Sequence, residues 1–265
     1  MQRINRAFAR LQEESRTGVI PYVMAGDPNL TATEELVVSL AAAGADLIEL
    51  GVPFSDPVAD GPVIQAAGNR ALQAGVTMEG VLSLVERVRG RGVEIPLLLM
   101  SYYNPVFQRG AAAMARRLAE SGGDGMIVPD LPVEESAELK AELEKQGLAL
   151  IYLLAPTSTE KRIKMVAEAA KGFIYCVSIA GVTGARESLP PELPAFIDRV
   201  RKFTSLPLAV GFGISTRQQV EEVGRFAEAA VIGSALVAAE DKLALFYELK
   251  GRVAGLIDEQ QSHYG

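Results

Sequence analysis

The chain has 265 residues, a net charge of −7, one histidine, one cysteine and no tryptophan. His263 stands in a polar stretch near the C-terminal end, a poor place to hold a catalytic triad or a multi-histidine metal site. The lone Cys176 excludes an internal disulfide, and the negative charge argues against nucleic acid as the main partner.

No run reaches the roughly 18 apolar residues of a membrane span, and residues 1–16 lack the apolar core of a secretory signal. Ile4, Phe8 and Leu11 instead recur at helical spacing, which predicts a short packing helix. A soluble cytoplasmic protein is expected. Eight short apolar runs follow, at 19–24, 47–50, 95–100, 125–128, 148–153, 173–177, 206–210 and 229–232. They are nearly all apolar, as parallel strands covered on both faces are. Cys176 lies in one of them and reads more simply as a small core residue than as a nucleophile. Amphipathic segments separate the runs. Thr31 with Glu34, Thr157 with Glu160 and Ser215 with Gln218 have capping-box spacing. Pro190 and Pro191 are placed to open the helix that holds Phe196, Ile197 and Val200. Gly44, Gly122, Gly147 and Gly172 fall where helices would end. This even alternation, with no linker, predicts an α/β fold: a (β/α)8 TIM barrel with an extra N-terminal helix, as a single domain over 1–265. An open doubly wound sheet is the rival, but the first strand is not followed by G-x-G-x-x-G.

In such a barrel the loops leaving the strands build the site. Leu47-Ile48-Glu49-Leu50-Gly51 puts a carboxylate inside an apolar strand, facing the barrel interior or its mouth. A structural salt bridge is one reading of Glu49. No basic residue lies inside any predicted strand to serve it, which favours a functional carboxylate. Phe54-Ser55-Asp56-Pro57-Val58-Ala59-Asp60-Gly61-Pro62 follows directly, so two carboxylates can face one pocket. Gly-rich pieces follow the last three runs: Val182-Thr183-Gly184, Gly211-Phe212-Gly213-Ile214-Ser215 and Gly233-Ser234-Ala235. Loops after strands seven and eight, with a helix N-terminus, are where barrels hold phosphate. All eight lysines fall on predicted helices or strand entries, which leaves no Schiff-base candidate. Tyr22, Tyr102 and Tyr175 lie near the mouth, either as core or as pocket lining. Asp27-Pro28, Asn104-Pro105 and Pro129-Asp130-Leu131-Pro132 read as rigid loop pieces on the same face, where Phe54, Phe107 and Leu131 could serve a protein interface. The residues point to acid/base cleavage or isomerisation of a phosphorylated small molecule.

The string from Glu49 to Pro62 closely resembles the signature of the tryptophan synthase alpha chain family. Gly26-Asp27-Pro28, Tyr103-Asn104-Pro105, Pro129 to Pro132, Gly181 to Gly184, Gly211 to Ile214 and Gly233 to Ala235 agree in order, nearly end to end. The resemblance implies a lyase that splits indole-3-glycerol phosphate into indole and glyceraldehyde 3-phosphate in tryptophan biosynthesis. It implies no cofactor on this chain, and a pyridoxal-phosphate-dependent beta chain as partner in an α2β2 complex. Carried over by position, Glu49 is the general acid/base, Asp60 accepts from the indole N–H and Tyr175 assists near the glycerol chain. Gly184, Gly213, Gly233 and Ser234 would hold the phosphate. Phe212 would line the pocket, beside Tyr22 and Tyr102 as their own place near the mouth suggests, and Thr183 sits in the loop expected to close over the substrate. Asp56, Pro57, Asn104 and Pro132 would face the beta chain. Tyr22 and Met100 depart from the family's expected Phe and Leu. A stand-alone indole-releasing lyase, a sugar-phosphate isomerase or epimerase and a non-catalytic regulatory subunit are the alternatives; the Glu49–Asp60 string disfavours the last two.

Overall fold

The structure is a computed structural model that describes residues 1–177, 189–211 and 213–251. The described residues hold eight parallel strands that close into a barrel in chain order. The strands are β1 (Gly18–Met24), β2 (Ile48–Gly51), β3 (Leu97–Met100), β4 (Gly125–Ile127), β5 (Ala149–Leu154), β6 (Ile174–Val177), β7 (Leu208–Gly211) and β8 (Ala229–Ile232). The helices are α1 (Gln2–Glu13), α2 (Leu30–Ala42), α3 (Pro62–Gln73), α4 (Met78–Gly90), α5 (Tyr103–Arg109), α6 (Ala111–Glu120), α7 (Ala137–Lys145), α8 (Glu160–Ala169), α9 (Leu193–Arg201), α10 (Arg217–Val223), α11 (Ser234–Ala238) and α12 (Lys242–Lys250). The expected (β/α)8 barrel with an added N-terminal helix is therefore present. No described helix is long and apolar enough to cross a membrane.

Period-two alternation divides the strand side chains between two cores. Val19, Val23, Ile48, Leu50, Leu97 and Leu99 face the helices. Ile20, Leu47, Leu98, Ile127, Ile151 and Ala209 fill the interior. The face of α1 formed by Ile4, Ala7, Phe8 and Leu11 is buried, and Ile4, Phe8 and Leu11 join this interior cluster. Phe8 packs on Phe173 with ring centroids 5.3 Å apart. The helix thus plugs the end of the barrel where the strands begin.

Two buried carboxylates pin that end. Asp46 accepts from Arg10 at 3.0 Å, Arg16 at 2.7 and 2.9 Å, Lys250 at 3.1 Å and the Val19 N–H at 3.0 Å. Asp124 accepts from Arg89 at 2.6 Å, Arg3 at 3.3 Å and the Leu97 N–H at 2.9 Å. Each acid therefore ties α1 to the start of a strand.

Several helix starts are corrected. Helix α2 is capped by Asn29, not Thr31, because the Asn29 side chain accepts from the Ala32 N–H. Helix α8 is capped by Thr159, not Thr157, and α10 by Thr216 in a full capping box with Gln219, not by Ser215 with Gln218. Helix α9 starts at Leu193, past the Pro190–Pro191 pair, with Pro194 in its first turn. Tyr103-Asn104-Pro105 is no loop; it forms the first turn of α5, whose Tyr103 N–H donates to Asp130 at 2.8 Å. Three of the four helix ends match expectation: Gly44, Gly122 and Gly147 directly follow C-capping residues with φ of 91°, 84° and 72°, whereas Gly172 lies two residues past Ala170, the extended C-cap of α8.

Burial alone would raise the Asp46 pKa, but the Arg16 hydrogen bond, the Lys250 charge, the Val19 N–H and the Arg16 charge together hold it below the usual value. A depressed folded-state pKa contributes stability above the unfolded-state value and loses it as pH falls through the folded one. Asp46→Asn should therefore cost about 3 kcal/mol at pH 7, and the difference from the parent chain should shrink below about pH 4. Urea unfolding at both pH values measures it; an unchanged midpoint at pH 7 would refute the pinning role.

Candidate active site

At the opposite end, where the strands finish, lies a cavity of about 380 Å3. Its lining draws on β1, β2's following loop and every later strand region: Tyr22, Asp60, Met100, Pro129, Leu153, Tyr175, Gly213, Val231 and Ser234 among them. A larger groove of about 760 Å3 flanks α1 at the other end. Its acidic residue, Glu228, is already held by Arg201 and the Leu208 N–H. The chemistry therefore belongs to the smaller cavity.

Glu49 lies two residues before the end of β2, paired in register with Tyr22 on β1 and Leu98 on β3. It is fully buried, and neither carboxylate oxygen has a hydrogen-bond partner. No described strand contains a basic residue, so no strand cation compensates it. Burial pushes its pKa up to about 8, which keeps it protonated at neutral pH. Glu49 is not among the cavity-lining residues; it sits one layer deeper.

Asp60 lines the cavity from the β2–α3 loop. Burial raises its pKa to about 6, against a hydrogen bond from Tyr102 that lowers it. Pre-formed contacts hold this loop. The Ala59 N–H donates to the Tyr102 Oη at 2.9 Å, Gln65 donates to the Asp60 carbonyl at 2.8 Å, and the Phe54 ring stacks on Tyr102 at 5.3 Å. Tyr102 does not line the cavity. It stands behind Asp60 and fixes the loop that carries it.

Tyr22 and Tyr175 are both buried and both reach the cavity. Gly213, with φ of 69°, and Gly233 and Ser234 line the opposite side, where α11 begins. Backbone N–H groups in the first turn of a helix have no intrahelical acceptor and suit an anion. Nothing stands within 4 Å of the side-chain position of Gly233, so this wall has room. Thr183, Gly184 and Phe212 lie outside the described residues, as do Gly181, Val182 and His263.

Sequence reasoning did not single out the apolar lining residues Ile64, Leu153, Val177, Ile214 and Val231. Leu153, Val177 and Val231 were reachable by counting in twos along their strands. Ile64, on α3, had no comparable signal. Asp56 and Asn104 are exposed, Pro57 and Pro132 half-buried. Val58 and Phe107, at 79% and 65% exposure, are large apolar groups next to them in sequence.

A family model described as tryptophan synthase alpha chain matches residues 8–254. The chain belongs to that family. It is 51% identical over 237 residues to a tryptophan synthase alpha chain of Roseiflexus sp. (strain RS-1), spanning 89% of this chain and 91% of that one. It is 48% identical over 259 residues to that of Geobacter sp. (strain M21), spanning 97% of both. Among solved structures, tryptophan synthase of Mycobacterium tuberculosis superposes with a TM-score of 0.88 at 36% identity, over 94% of this chain and 96% of that one. The alpha subunit from Legionella pneumophila gives 0.85 at 37% identity, over 94% and 97%. The family's reaction is cleavage of indole-3-glycerol phosphate in tryptophan biosynthesis, which makes the chain a carbon–carbon lyase.

Removing the Tyr102 hydroxyl takes a donor from the Asp60 carboxylate and disfavours its charged form. For Tyr102→Phe, the acid limb of the pH profile for indole release should therefore move above pH 6. An unmoved limb would show that Tyr102 does not hold Asp60.

Proposed function

We propose that Glu49 is the general acid/base of the lyase and Asp60 the group that stabilises charge on the indole ring. One observation carries this reading: a wholly buried carboxylate without any partner lies beside a cavity whose rim holds a second carboxylate. Their surroundings set the two groups apart, Glu49 at about 8 and Asp60 at about 6. At neutral pH the first holds a proton and the second a charge, the division of labour that acid/base catalysis needs.

The reaction is a retro-aldol cleavage. Glu49 gives its proton to indole C3, and the ring nitrogen's electron pair becomes the new π bond. Asp60 accepts a hydrogen bond from the N–H as positive charge develops there. The Glu49 carboxylate then takes the proton of the glycerol hydroxyl. The oxygen's electrons form the aldehyde, the C–C bond breaks and its pair returns to the ring. Glu49 ends protonated, as it began. Tyr175 stands near the glycerol chain, and Tyr22 lines the pocket around the indole. Backbone N–H groups at Gly213, Gly233 and Ser234, with Gly184, hold the phosphate. By the family resemblance, Thr183 would belong to the loop over the substrate and Phe212 to the pocket wall.

The chain works, on this reading, as a single domain in the cytoplasm. It holds no cofactor of its own and pairs with a pyridoxal-phosphate-dependent beta chain in an α2β2 complex. Asp56, Pro57, Asn104 and Pro132 form the docking face. The exposed Val58 and Phe107 support that assignment, because exposed apolar groups rimmed by polar ones favour protein contact.

Glu49→Gln keeps the shape and removes the proton relay, so indole release should fall on the order of a thousandfold while thermal unfolding is not lowered. Normal indole formation by that variant would overturn the mechanism. Gly213→Asp introduces a carboxylate into the anion wall, at a φ of 69° that disfavours side chains. Its KM for indole-3-glycerol phosphate should rise at least tenfold, roughly the loss of one charge-assisted hydrogen bond; an unchanged KM would place the phosphate elsewhere.

A further inference from the structure

Two tyrosines occupy equivalent positions on the floor of the cavity. Tyr22 on β1 pairs in register with Glu49 on β2, and Tyr175 on β6 pairs with Ala209 on β7. Each ring leans over the glycine two residues beyond its partner. A methyl group on Gly51 would collide with the Tyr22 Oη, and one on Gly211 would fall 2.7 Å from the Tyr175 Oη. Both hydroxyls therefore rest on bare backbone, one layer nearer the mouth than Glu49. Only glycine at 51 and 211 leaves space for them.

We infer that the Tyr22 hydroxyl is the donor that receives the Glu49 carboxylate once it has given up its proton. The inference rests on Glu49 being the acid/base group. Protonated Glu49 is tolerated without partners, but the carboxylate left after proton transfer is a buried charge. A donor on the adjoining strand, in register with Glu49, lowers that cost at the moment it arises. Tyr22 is the neighbour of Glu49 on the adjoining strand, and its hydroxyl reaches the layer through which Glu49 must extend to touch a substrate. Burial, then the charges of Asp60, Glu49 and Tyr102, hold the Tyr22 phenol well above its ordinary pKa, so it stays a donor. The Glu49 charge also acts on Tyr175, the second phenol of the floor.

The other charged groups around Tyr22 are already engaged. Asp27 and Lys242 border a small cleft at Tyr22. Asp27 is held by Arg70 through two bonds of 2.7 Å, and Lys242 donates to the Val237 and Ala239 carbonyls. Asp60 already receives the Tyr102 hydroxyl. Glu49 is the carboxylate in this group with no partner. A Phe at position 22 would fill the same space and lack the donor, so Tyr22 is a positioning residue that acts through Glu49.

The test is the pH profile of indole release by the full chain carrying Tyr22→Phe. Loss of the donor disfavours ionised Glu49, so the alkaline limb should move up from its position in the parent chain. The acid limb of Asp60 should stay in place. The kcat should fall about tenfold with KM within about twofold, since the bond forms only as the reaction proceeds. An alkaline limb that does not move overturns the inference whatever happens to kcat, as does a shift confined to the acid limb. Glu49→Gln measured alongside separates the two failures. If that variant stays active, the acid/base reading itself falls. If it is inactive while the Tyr22→Phe profile is unshifted, only the role of Tyr22 falls.

Discussion

The constraint on which the site depends is a carboxylate held in an apolar barrel without a cation. Ionising such a group is costly, and the protein meets the cost by keeping Glu49 protonated rather than by pairing it. Everything around it is consistent with that choice. The described strands carry no Lys or Arg. The lysines lie on helices or just before strands. The Glu49 charge acts on two buried phenols, Tyr22 and Tyr175, which are neutral at working pH and can still donate.

The two ends of the barrel treat the same residue type in opposite ways. Asp46 and Asp124 are as buried as Glu49 but are saturated by arginines, a lysine and strand-start N–H groups. Those bonds fix α1 over the bottom and leave no charge for chemistry. At the mouth the pairing is withheld. Asp60 has one side-chain donor, Tyr102, and Glu49 has none. Stability is concentrated where the strands start, and reactivity where they end, the usual separation in this architecture.

The loops at the mouth are braced by contacts that distance in sequence conceals. Tyr102 comes from the end of β3, yet it fixes Ala59 and Asp60 on the loop after β2. Asp130, after β4, caps α5 through the Tyr103 N–H. These links run from loop to loop around the rim. They place Asp60 against the cavity and present Asn104, Val58 and Phe107 outward.

The sequence by itself determined the barrel. Eight apolar runs alternating with amphipathic segments, without a G-x-G-x-x-G after the first, favour closure over an open sheet, and positive-φ glycines after helices are visible as glycines. It also pointed to carboxylates as the candidate acid/base groups, since the composition offers one histidine in a polar stretch near the end and no lysine in a predicted strand. Helix starts were less legible: Ser215 and Thr216 satisfy the same spacing and only backbone geometry chooses between them, while Asn29 caps α2 without a Glu or Gln three residues on. Tertiary structure alone decided which acids are paired. Asp46 and Glu49 stand three residues apart in one segment. One meets Arg10, Arg16 and Lys250 and the other meets nothing, because three residues carry the chain from the barrel's pinned end into its apolar interior.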